Sequence, residues 1–280
     1  MSDYSWAIPV MRAGYAGRGV TYLAVAGISL WALWQGGQAQ GTESALSSLS
    51  DSAWGVATLW VIAIGLFAYA IWRGIDAVED LEDYGTDTKG LIARGGMIVT
   101  GLIHGALGGV ALSLALGLGG GGSGGGGEDK VSSITGRILE WPGGQWIVGF
   151  AALCTLGAGV YYVVKGVKAK YREKLAANHF TRNWDWALKA GVIAQGMVIL
   201  IIGGFLAAAA RAGSEGAAGG VGKAFDWVAG LPGGSILIVL LCLGLLGFAF
   251  FCFVNAAYRI VPRVSGGDLT SLKDKLKAAT

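Results

Sequence analysis

The sequence predicts an all-α membrane protein: six transmembrane helices in three parallel helical-hairpin repeats, pseudo-threefold about the membrane normal. Three observations carry this expectation. Hydrophobic residues make up 54% of the 280-residue chain and charged residues only 14%, whereas a soluble domain carries about 25% charged residues; the mean hydropathy is +0.57. Six apolar stretches of about 20 residues, long enough to cross a hydrocarbon core, fall near 17–35, 54–73, 96–118, 146–164, 190–210 and 235–257. Finally, RAGYAGRG (12–19), RGGMIVTG (94–101) and KAGVIAQG (189–196) share one glycine frame.

The six spans put both ends of the chain on one side. The segments on that side carry 17 Lys and Arg, the loops on the other side four, so the positive-inside rule places both termini in the cytoplasm. Tryptophans agree with this layout. Trp31, Trp34, Trp54, Trp141 and Trp146 are expected at the outer interface, and Trp6, Trp72, Trp184 and Trp186 at the inner one.

The repeat is read by aligning Arg12, Arg94 and Lys189. Two places on stand Gly14, Gly96 and Gly191; seven places on, Gly19, Gly101 and Gly196; fifteen places on, Gly27, Gly109 and Gly204. The second helices align as well, with Gly65, Gly157 and Gly247 four places before Tyr69, Tyr161 and Phe251. Arg73-Gly74 matches Lys165-Gly166, while the third unit departs with Asn255-Ala256. The units are then 1–89, 90–184 and 185–262, with a tail at 263–280. Glycine-rich helix packing explains the columns: small residues let helices approach closely in lipid. Gly105, between Gly101 and Gly109, joins the same face. The leading Arg or Lys reaches the headgroups.

Three copies of a two-helix unit, the first opening with RAGYAGRGVTY (12–22), resemble the bacterial domain-of-unknown-function family 1206. The later copies keep the basic residue and the glycines but lose the inner Arg and Tyr. The resemblance covers nearly the whole chain. It implies a multi-pass protein of the bacterial inner membrane and supplies no catalytic residues.

Composition and motifs exclude several classes. Fifty glycines without a Gly-X-Y period, and only four prolines, exclude collagen. A net charge of +3 without a basic, aromatic-interleaved patch gives no nucleic-acid partner. Cys154, Cys242 and Cys252 sit in apolar runs without paired spacing, which argues against a disulfide or metal site. The N-terminal MSDYSWAIPVMRAG lacks the basic head and cleavage site of a signal peptide, so the first segment is expected to be retained. No intramembrane carboxylate and no GxSxG or HExxH motif occurs, so neither an enzyme nor a cofactor is expected.

The loops give weaker signals. The glycine tract 117–130 lengthens the second unit to 48 residues between aligned glycines, against 38 and 43 in the others. It is expected to be disordered and functionally quiet. An acidic loop (Asp76 to Asp87) and a basic one (Lys165 to Lys174) are either separate solvated helix extensions or a pairing surface between units one and two. Leu269, Leu272 and Leu276 stand at helical spacing in the tail, as in a short surface-lying helix.

Polar residues inside spans are functional candidates because they are costly there. Arg18, Thr100 and Gln195 occupy repeat-equivalent places, and His104 aligns with Tyr22 and Ile199. They would either ring a cavity, or remain local, with Arg18 snorkelling, Thr100 and Gln195 bonded to neighbouring backbone and His104 in an interhelical hydrogen bond. Two functions follow. One is a structural or accessory protein acting through membrane lipids or a membrane-protein partner; the alternative is a channel or transporter with its path along the pseudo-threefold axis.

Overall fold

The computed structural model of the chain describes residues 4–118, 130–265 and 271–277. Its helices, in order, are α1 (Ala7–Trp34), α2 (Thr42–Leu49), α3 (Ala53–Glu79), α4 (Thr88–Ala115), α5 (Lys130–Leu139), α6 (Gly144–Val167), α7 (His179–Asn183), α8 (Asp185–Ala212), α9 (Val221–Ala229), α10 (Gly234–Tyr258), α11 (Pro262–Ser265) and α12 (Leu272–Lys277). Among the described residues there is no named strand, only two isolated bridges. The helices α1, α3, α4, α6, α8 and α10 are long and apolar enough to cross a membrane. The protein is multi-pass.

The long helices overrun the apolar windows. α1 starts at Ala7, ten residues before its window, and α3 continues to Glu79. Charged residues that lower hydropathy still form helix, and their long side chains reach the interface from inside it. Side-chain caps fix several ends. The Ser52 hydroxyl accepts from the Gly55 amide at 3.1 Å at the start of α3, and the Asp87 carboxylate from the Gly90 amide at 2.9 Å at the start of α4. Asp80, left-handed at φ 54, stops α3; its carboxylate accepts the amides of Tyr84 (2.7 Å) and Gly85 (2.9 Å).

Each unit also contains a short helix that hydropathy does not find, since it is too short to span. These are α2, α5 and α9, placed between the two long helices of their units. WPGG (141–144) and LPGG (231–234) turn α5 into α6 and α9 into α10. The left-handed residues there are Gly143 (φ +79) and Gly233 (φ +73), where L side chains are strained. At the opposite end from the termini, α2 meets α9; a Cβ on Gly41 would stand 2.7 Å from Gly222 Cα.

The long helices neighbour one another in chain order: α1 on α3, α3 on α4, α6 on α8, α8 on α10, and α10 back on α1. This is the order a ring of three units requires. The ring is broken at one place, because α4 and α6 do not pack together. Units one and three are packed hairpins as anticipated, whereas the second unit is splayed.

The glycine columns follow this geometry. In the first column, Gly14 backs onto the Tyr69 backbone (2.6 Å from an added Cβ) and Gly191 onto Gly247 (2.2 Å), within units one and three. Gly96 has nothing within 4 Å, since its partner helix α6 stands away. In the second column every glycine meets the preceding unit around the ring: Gly19 on Phe253, Gly101 on Arg73 and Ala70, Gly196 on Val163. Gly105 makes ordinary contact with Ala70 Cβ at 3.5 Å. The third column is different. Gly27, Gly109 and Gly204 have no neighbour within 4 Å and are not packing positions. The packing role falls one residue earlier in two units, on Gly108 against Leu66 and Gly203 against Leu156; one residue turns a helix by about 100°.

Three other expectations are corrected. Trp72 is not an interfacial anchor but fully buried, in a cluster with Met11, Tyr15, Tyr69 and Leu81 at the end bearing the termini. The tail helix does not lie free on a surface. Leu272 is buried against Tyr171 and Leu175, and its amide donates to the Leu175 carbonyl at 2.8 Å; Leu269 lies outside the described residues. Among the described residues His104 makes no interhelical hydrogen bond; its Nδ1 donates to the Thr100 carbonyl of its own helix at 2.8 Å, and its ring packs on that of Tyr69 at 4.9 Å. Most of the glycine tract, 119–129, lies outside the described residues.

Candidate functional site: a basic chamber open between two helices

The interrupted ring encloses a chamber of about 2770 Å³. Its apolar lining includes Val99, Ile103 and Val110 on α4 and Phe150, Cys154 and Ala158 on α6, the two helices that do not pack together. Among the described residues the six-helix ring is therefore closed on five sides and open on the sixth. The short helices and their loops lie across its end away from the termini, contributing Gly41, Arg137 and Lys223 to the lining.

All four polar candidates line this chamber: Arg18, Thr100, His104 and Gln195. They do not form one hydrogen-bonded ring. Thr100 donates to the Gly96 carbonyl of its own helix at 2.7 Å. Gln195 Nε2 donates to the Tyr22 hydroxyl at 3.0 Å, joining units three and one. Arg18 does not snorkel. It is buried, donates to the Tyr69 hydroxyl at 2.8 Å, and stacks over the rings of Tyr69 (4.5 Å) and Phe248 (5.4 Å). Its Nε finds no partner among the described residues.

Tyr22, Arg73, Tyr161, Tyr162, Lys165 and Arg259 also line the chamber. The signal for several was present in the repeat alignment, since Arg73, Lys165 and Asn255 share one column and Tyr69, Tyr161 and Phe251 another. Lys165 stands in the sequence as the first residue of the basic loop; α6 runs on to Val167 and carries it into the ring beside Arg73.

A compact ionic network closes the chamber at the end bearing the termini. The Glu82 carboxylate is fully buried and accepts from Arg259 (2.6 and 2.8 Å). It also faces Lys174 at 3.7 Å and Arg73 at 3.9 Å. Arg73 pairs with Asp76 at 3.3 Å and donates to the hydroxyls of Tyr69 (2.9 Å) and Tyr15 (3.2 Å). Asn255 steadies Arg259, accepting from it at 2.6 Å. The acidic and basic loops thus do meet, among the described residues through Lys174 of the basic run, while the acidic loop's other ion-pair partners are Arg73, Arg259 and Arg263.

Burial raises the Glu82 carboxyl, but Arg259, Arg73 and Lys174 outweigh it and hold it at about 2. Burial pushes the Lys174 ammonium down, with Glu82 opposing. A depressed carboxyl stabilises the fold fully while it is ionised in both states, above its ordinary 4.5. That contribution decays as the pH falls from there toward about 2. Thermal unfolding in detergent is therefore expected to show a steep loss of stability between those values, and Glu82→Gln should abolish this segment of the profile. A profile equally steep in the variant would remove Glu82 as its source.

The chain was compared with known proteins. The family model described as Domain of Unknown Function (DUF1206) matches residues 13–80, 95–169 and 190–259, one copy to each unit. A Bacillus subtilis (strain 168) protein named Uncharacterized protein YxxB is 25% identical over 252 residues, spanning 89% of this chain and 90% of the relative. No solved structure matches. The three copies of the family model cover α1 to α3, most of α4 through α6, and α8 to α10, and the chain belongs to this DUF1206 family.

Proposed function

We propose that the protein is an accessory membrane protein that works by holding a lipid or other amphiphile, admitted sideways from the bilayer into its chamber. The observation that carries this is the missing contact between α4 and α6. An aqueous substrate needs an opening at an end of the ring, whereas an amphiphile needs one along its side. Here the side is open and its two walls are apolar, while the floor is basic.

The reading is of a binding protein rather than an enzyme, in contact with membrane lipids and with room for a membrane-protein partner. It is set in the bacterial inner membrane with both termini cytoplasmic, as 17 against four basic residues favour.

Native mass spectrometry of the gently extracted chain is expected to find one amphiphile retained per protein. Ala158→Trp, which places a large ring in the α6 wall of the chamber, should lower that occupancy without unfolding the protein. A bare chain that conducts ions when reconstituted would overturn the reading and favour a path along the ring axis.

A further inference from the structure

The chamber has more cations than carboxylates to match them. The lining carboxylates Glu43, Glu140, Glu215 and Asp226 belong to the short helices and loops away from the termini; at the other end Arg18, Arg73, Lys165 and Arg259 line the chamber, and the buried acids packed there are Asp76 and Glu82. Those acids are taken by Arg73, Arg259 and Lys174. Arg18 and Lys165 are left without a carboxylate among the described residues.

The repeat shows how Lys165 came to be alone. Its counterpart in unit one, Arg73, is answered three residues on by Asp76. Three residues after Lys165 stands Lys168, and in unit three the column holds the uncharged Asn255. Among the described residues the Lys165 ammonium has ring faces as its partners, with centroids at 5.7 Å for Tyr162, 5.8 Å for Tyr161 and 6.0 Å for Phe251. Arg18 lies over Phe248, which stacks on Phe251 at 5.7 Å. The two cations thus share one aromatic cluster. The Tyr22 ring centroid lies 5.8 Å from the Arg18 guanidinium carbon, and the Tyr22 hydroxyl, which accepts from Gln195, keeps its own proton to donate.

Cation–π contact offsets only part of the cost of desolvating a charge. A cation pair without an anion, beside an unpaired Arg18 Nε, is the arrangement expected of a site whose anion arrives from outside. We infer that Arg18 and Lys165 bind the phosphate of a negatively charged headgroup, with its chains running between the apolar walls of α4 and α6. This rests on the proposed reading of the chamber as an amphiphile site and names the charge that it selects.

The test uses the full chain in detergent, titrated with phosphatidylglycerol, phosphatidylcholine and inorganic phosphate, with binding read by native mass spectrometry and thermal shift. Phosphatidylglycerol is expected to bind, Lys165→Gln to weaken it about tenfold, the loss of one charge-assisted bond, and Lys165→Arg to restore most of the affinity. Lys165 is only half-buried, so this pair keeps the test clear of the misfolding that Arg18→Gln risks. Equal binding of phosphatidylcholine, unaffected by Lys165→Gln, would overturn the anion site and leave the amphiphile reading standing. Inorganic phosphate competing at the lipid's own concentration would overturn the headgroup assignment and the amphiphile reading together. No binding of any of the three would overturn the site outright.

Discussion

Glu82→Gln is expected to be among the most destabilising conservative substitutions in the chain, costing about 3–5 kcal/mol, the usual penalty for breaking a buried ion pair from one side. The carboxylate has no solvent exposure and is approached by Arg259, Arg73 and Lys174. These three come from α3, the α10 end and the loop after α6, so the one side chain ties together parts of all three units. Glutamine keeps the shape but not the charge, and three cations would be left facing one another across a neutral amide. The measurement is the unfolding midpoint of the variant in detergent at neutral pH. Glu173→Gln serves as the comparison. Its carboxylate pairs with Lys273 at 2.7 Å, but both side chains are well exposed, and exposed pairs contribute little. Equal midpoints for the two variants would show that Glu82 is not a hub.

The positions that form this hub were only half legible in the sequence. Spans, repeat units and neighbouring order all follow from the 3.6-residue geometry of apolar helices and from even numbers of crossings. Glu82 looked like one member of an acidic loop because nothing local distinguishes it from Glu79 or Asp83. Its environment is made by Arg259, 177 residues away. Lys165 and Arg73 were similarly visible as repeat equivalents but not as chamber residues, since hydropathy ended their helices early. The open side could not be read at all. It depends on α4 and α6 failing to pack, a property of the whole ring rather than of either segment. The short helices α2, α5 and α9 escaped because eight to ten residues cannot span a membrane.

The glycine columns convert that partial legibility into a sharp expectation. Three glycines in equal sequence register are not three equal contacts. Gly191→Ala would drive a Cβ to 2.2 Å from the Gly247 carbonyl carbon and 2.3 Å from the Phe248 amide nitrogen. Both are backbone atoms, so α8 and α10 must separate, and a loss of about 1–3 kcal/mol or more is expected. Gly17→Ala meets the same obstacle at Gly65 Cα, 2.5 Å away, between α1 and α3. Gly96→Ala occupies the same column as Gly191 yet has open space, and so does Gly204→Ala. Both should be neutral or gain up to about 1 kcal/mol, because alanine loses less backbone freedom in a helix than glycine. The four unfolding midpoints, measured in one detergent, separate two accounts of the repeat. If register alone set the packing, Gly96→Ala would fall with Gly191→Ala; because the second unit is splayed, it is expected to stand with Gly204→Ala. The pair within one column is therefore the direct test of the opening on which the chamber depends.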